Sequence, residues 1–77
     1  MPTDLTYEVK SRLAVLSTSK SGWTKELTLI SWNGGEPKYD IRTWSPDHST
    51  MGKGVTLDKE EMDALKEFLD GGLEIRH

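Results

Sequence analysis

A chain of 77 residues with a net charge of −3 and no cysteine has room for one domain, and neither a disulfide nor a thiolate metal site can support it. Folding at this length buries only roughly 60% of the surface the unfolded chain exposes, so a thin core is expected, and dimerisation is one way to enlarge it. Mean hydropathy of −0.62, the lack of any apolar run near the ~18 residues of a membrane span and an opening MPTDLTYE without basic and apolar signal regions together lead us to expect a soluble cytoplasmic protein.

The charge is unevenly distributed. Residues 1–57 carry seven Lys or Arg against six Asp or Glu, whereas residues 58–77 carry three against seven. Charges farther apart than about 10 Å are largely screened at ordinary salt, so the acidic total does not exclude an anionic partner for the first part of the chain.

The first predicted strand spans residues 5–17, with Leu5, Tyr7, Val9 and later Leu13 and Val15 at alternating positions. Lys10 and Arg12 share one of its faces, which a solvated surface explains. STSKSG is a polar loop. The second strand, 22–33, is rich in Thr, Ile, Leu and Trp and is bounded by Gly22 and the pair Gly34-Gly35. Trp23 and Trp32 stand near its two ends, nine residues apart and so on opposite faces. Lys25 lies close to the first of them.

NGGEP is a turn tolerant of positive φ ahead of a rigid proline. The third strand, 37–45, alternates Tyr39, Ile41 and Thr43 on one side with Lys38, Asp40, Arg42 and Trp44 on the other. In SPDHS, Pro46 occupies a favoured first central turn position with Asp47 behind it. The fourth strand, 52–57, begins with Lys53 between Gly52 and Gly54. A helix over 59–70 completes the series. Asp58 is its cap, and Glu61 three residues later forms the pattern of a capping box. Met62, Leu65, Phe68 and Leu69 make one apolar stripe, and Gly71-Gly72 ends the run.

Four strands followed by one helix predict an α+β domain, an antiparallel sheet with its helix on one face. The other face must then meet solvent, a partner or a ligand, and it is expected to carry Lys38, Arg42 and Trp44. Aromatic rings on an open sheet stack on unpaired bases, each worth about 1–3 kcal/mol, while cations follow the phosphates. On the residues alone the plainer reading is stronger: Arg42 pairs with Asp40, and Trp44 covers a sheet edge. Lys53 between its glycines is a tight turn or bulge by the same standard. It lacks the spacing and the Lys-Ser/Thr ending of a phosphate-binding loop. Asp47-His48 invites a metal-dependent nuclease, but the only other histidine is His77 and nothing fixes a ligand set. No enzyme activity, metal or cofactor is expected.

The run YDIRTWSPDHSTMGKGVTL followed by DKEEMDALKEFL resembles the single-stranded-DNA-binding transcriptional coactivator family, positive cofactor four and its prokaryotic relatives, and within it the bacterial branch called YdbC. The shared pattern is Asp40-Ile41-Arg42 with a following aromatic, a turn containing proline, Gly52-Lys53-Gly54-Val55-Thr56-Leu57, and a capped helix. GWTKELTLISWN upstream is also similar to the bacterial branch. The resemblance implies a curved four-stranded antiparallel sheet with one C-terminal helix, assembled as a homodimer whose helices, through Met62, Leu65, Phe68 and Leu69, contribute to the interface. It implies sheet grooves for single-stranded DNA, or RNA, with little sequence preference. Arg42 and Lys53 match the family's DNA-contacting cations, and Trp44 lies at its stacking aromatic in a shorter turn. Trp32 and Lys38 flank a hairpin that matches more loosely. Phosphates are then expected to meet Lys53, Arg42 and either Lys25 or Lys38, while bases stack on Trp44 and Trp32. A coactivator-like role in transcription or DNA maintenance follows from the resemblance. A protein-interaction module using the same open face is the alternative.

Overall fold

A computed structural model describes residues 6–71; Leu5, Gly72 and His77, named above, lie outside them. Four strands are followed by one helix: β1 (Tyr7–Thr18), β2 (Thr24–Trp32), β3 (Lys38–Trp44), β4 (Met51–Leu57) and α1 (Lys59–Gly71). The strands pair antiparallel in the order β1-β2-β3-β4 and form one open sheet, as the α+β reading expected. The fourth strand starts at Met51 because Trp44 still pairs with it beyond an irregular step.

The turns follow local chemistry. Asn33 and Gly34 take positive φ values of 51° and 75°, and the Gly35 amide donates to the Trp32 carbonyl at 2.8 Å. An Asn-Gly pair suits that backbone because both residues tolerate the left-handed region. Between β3 and β4, Pro46 and Asp47 are the central residues of a turn closed by the His48 amide on the Ser45 carbonyl at 2.8 Å. Asp47 accepts from the Ser49 amide and from the hydroxyls of Ser45 and Ser49, and these bonds lower its pKa from 3.8 to about 2.

β1 departs from the expected simple alternation. Its pairing with β2 shifts register between Val9 and Ser11, Arg12 and Ala14, and Val15 and Ser17. Each bulge adds an unpaired residue and bends the strand. Leu13 therefore falls in a bulge, while Val15 stands opposite Glu26. Curvature of this edge strand brings Arg12 and Tyr7 over the neighbouring strands.

Paired positions in an antiparallel sheet share a face. One face carries Thr24, Glu26, Thr28 and Ile30 of β2 opposite Trp44, Arg42, Asp40 and Lys38 of β3. The other carries Leu27 and Leu29 opposite Ile41 and Tyr39. The first face is the buried one: Glu26, Thr28, Ile30, Asp40 and Trp44 are all at most 2% exposed. The second face is only half covered. α1 touches the sheet lightly, at β3 and β4, and none of its described residues is buried. Its start follows the predicted capping box: the Glu61 amide donates to Asp58 Oδ1 at 2.8 Å, and the Asp58 amide to Glu61 Oε1 at 2.9 Å.

Candidate nucleic-acid interface

The face expected to lie open is roofed by its own side chains. Trp44 is wholly buried, which corrects the expectation of an exposed indole. Its ring lies 5.9 Å from Tyr7 and 6.1 Å from His48, centroid to centroid, and the Arg12 guanidinium stands 4.8 Å above it. The physical cause is the bent β1, which carries Tyr7 and Arg12 inward, together with the β3–β4 turn. There His48 adopts φ of 63° and points its ring back to the sheet.

Trp32 forms a second, parallel arrangement. Tyr7 lies 5.9 Å from it and the Arg42 guanidinium 5.1 Å away. Tyr7 therefore bridges both indoles while remaining 40% exposed. Beneath each arginine is a buried carboxylate. Arg42 grips Asp40 with Nε at 2.6 Å and Nη2 at 2.9 Å, and the Thr56 hydroxyl donates to the same carboxylate at 2.9 Å. Arg12 Nη1 donates to Glu26 Oε1 at 2.9 Å, Thr24 Oγ1 donates to Glu26 Oε2 at 2.6 Å, and His48 Nε2 lies 2.7 Å from that same oxygen. Burial raises the Glu26 pKa, but the hydrogen bonds from Thr24, His48 and Arg12 outweigh it, and the net shift is downward from 4.5.

The two arginines differ in freedom. Arg42 spends its remaining reach on the Gly52 carbonyl at 3.3 Å and the Met51 sulfur at 3.6 Å, and its side chain is 14% exposed. This is the Arg42–Asp40 pair that the sequence alone favoured, in place of a bare cation. Arg12 makes one ion pair and is 40% exposed. The sequence assigns Arg12 to a solvated surface and Tyr7 to the alternation of β1; their convergence with Trp44 depends on bulges that no local pattern announces.

Lys38 sits on the same face as Arg42, two pairs beyond Asp40, at a cleft shared with Tyr39, Asp58 and Lys59. Lys53 is exposed at the irregular step of β4. Gly54 next to it pairs with Arg42, and a side chain there would strike the Arg42 Cβ and the Ile41 carbonyl; the glycine is what permits this close strand approach. Lys25 pairs with Thr43 and so stands on the opposite face. Trp23 lies beside Gly52 and Thr43, on that opposite face too, so the two end tryptophans are separated as expected. Asp47 and His48 do not converge, one being held by the turn serines and the other by Glu26. Among the described residues no cluster of three His, Cys, Asp or Glu could hold a metal ion.

An aromatic trio topped by cations is thus built on one face of an open sheet. The family model described as Transcriptional Coactivator p15 (PC4) matches residues 19–68, a span that runs from the loop before β2 through most of α1 and contains Trp32, Arg42, Trp44 and Lys53. An uncharacterized protein of Treponema pallidum (strain Nichols) is 57% identical over 67 residues, covering 87% of this chain and 79% of that protein. The chain belongs to the transcriptional coactivator p15 (PC4) family.

Proposed function

We propose that the protein is a homodimeric, non-enzymatic binder of single-stranded DNA, or RNA, with little sequence preference and a coactivator-like role in transcription or DNA maintenance. The observation that carries this reading is the Tyr7–Trp32–Trp44 cluster under Arg12 and Arg42 in a chain of this family. Unpaired bases stack on the reachable rings, Tyr7 and Trp32, and the buried Trp44 is the floor that holds them in place. Phosphates meet Lys53 and Lys38, with Arg42 fixing the ring beside them. Lys25 lies outside this set within one protomer. An open sheet that presents aromatic rings and cations to one strand needs no sequence readout, because every base has a stacking face.

The apolar surface supports the dimer. Leu65, Phe68 and Leu69 of α1 are 37%, 55% and 50% exposed, and Leu16 and Val55 of the sheet are 53% and 51% exposed. Exposed apolar groups on this scale mark an interface, and a second copy of the chain supplies a matching stripe. Met62 continues that stripe at the sheet end of the helix.

Fluorescence anisotropy with labelled single- and double-stranded oligonucleotides of equal length tests the reading. Tighter binding of the single strand, falling as salt rises, is the expected outcome. Binding to neither would assign the face to a protein partner instead.

A further inference from the structure

We propose that Arg12 on β1 is a phosphate-contacting residue of this site, and that Arg42, the arginine of the family pattern, positions the ring instead. The inference rests on the function proposed above and divides the labour within it. A guanidinium has five N–H donors in a fixed fork. On Arg42, Nε and Nη2 both donate to Asp40, and Nη1 turns to Gly52 and Met51; with a side chain 14% exposed, little is left for a ligand. On Arg12 only Nη1 is engaged, by Glu26 at 2.9 Å, and the side chain is 40% exposed.

Arg12 is also held, not merely free. Its guanidinium rests 4.8 Å from the Trp44 ring, which also packs against Tyr7 and His48. Glu26 anchors one end of the fork and is itself fixed by Thr24 and His48. A cation so restrained loses less side-chain freedom on meeting a ligand than a solvated lysine does. The Glu26 carboxylate is 2% exposed and its oxygens are taken up by Arg12, Thr24 and His48, so little of its charge meets solvent to repel a phosphate. Arg12 and the exposed Tyr7 pack on the same indole, 4.8 Å and 5.9 Å from the Trp44 ring, so the backbone of a nucleotide stacked on Tyr7 would pass close to the Arg12 fork. Arginine forks suit phosphate because two parallel N–H bonds fit two oxygens.

The test is the salt dependence of oligo-dT binding by the full chain, compared for wild type, Arg12→Lys and Arg12→Met. Each phosphate neutralised on a single strand contributes a slope of about −0.7 in log K against log salt. Arg12→Met keeps an unbranched stem over Trp44 and removes the charge; its slope is expected to be shallower by about 0.7, so that between 50 and 200 mM salt it loses about 2.6-fold less affinity than wild type. Arg12→Lys keeps the charge and the slope while binding more weakly. Arg12→Gln replaces the Met variant if circular dichroism shows the latter unfolded. A neutral variant that binds more weakly but with the wild-type slope makes Arg12 a packing residue and overturns the inference alone. A wild-type protein that binds no oligonucleotide overturns the inference together with the function it rests on.

Discussion

At Glu26 three donors converge on one carboxylate that is 2% exposed, and this residue ties β1, β2 and the β3–β4 turn together through Arg12, Thr24 and His48. Its folded pKa lies below 4.5, so the folded chain holds this proton less readily than the unfolded chain does. The resulting stability is fully present above pH 4.5 and is lost as pH falls through the lower folded value. Glu26→Gln is therefore expected to cost about 1–3 kcal/mol at pH 7, and the gap to wild type should narrow as pH drops below about 4. Urea denaturation midpoints at pH 7, 5 and 3.5 measure both. At this scale the pair Asp40–Arg42 was legible, because residues two apart on a strand share a face. Arg12–Glu26 was not, since it depends on how a bulged strand pairs with its neighbour.

Each element carries its own signal to a different degree. The helix was readable to its first residue because a capping box is a local device, and Asp58 and Glu61 form it. The strands were readable in number and order because turn residues punctuate them. The environment of Trp44 was not: alternation gives the side of the sheet on which a ring stands, but not whether another strand bends over it. Burial turns a stacking residue into a structural one. Trp44→Ala is expected to destabilise the fold by about 3–5 kcal/mol, a large share of the stability of so small a domain, and thermal melts followed by circular dichroism measure it. An alanine variant that keeps the wild-type melting temperature would contradict the packing described for β1 over β3.

The molecule as a whole has an inverted distribution of burial. Its tightest layer contains Glu26, Thr28, Asp40 and Trp44, while Leu27, Leu29 and Ile41 on the other face are half-buried and Leu65, Phe68 and Leu69 of the helix stripe are exposed. The homodimer proposed above would cover this apolar surface, and Phe68, the most exposed residue of the stripe at 55%, is the residue to alter. Phe68→Glu should weaken self-association at least 10-fold, as the loss of a central aromatic anchor usually does, and sedimentation equilibrium reads the change. If the variant sediments as the wild type does, the stripe is not the interface.

In the function proposed above, the aromatic and arginine face, and not the apolar face, receives a single nucleic-acid strand. Amide and indole N–H correlation spectra recorded during titration with oligo-dT test it residue by residue. Shifts are expected to concentrate at Tyr7, Arg12, Trp32, Lys38, Arg42 and Lys53 and at the indole N–H groups of Trp32 and Trp44, which have no hydrogen-bond partner among the described residues. Shifts confined to Leu27, Leu29, Ile41 and the α1 stripe, with the two indoles unmoved, would contradict it.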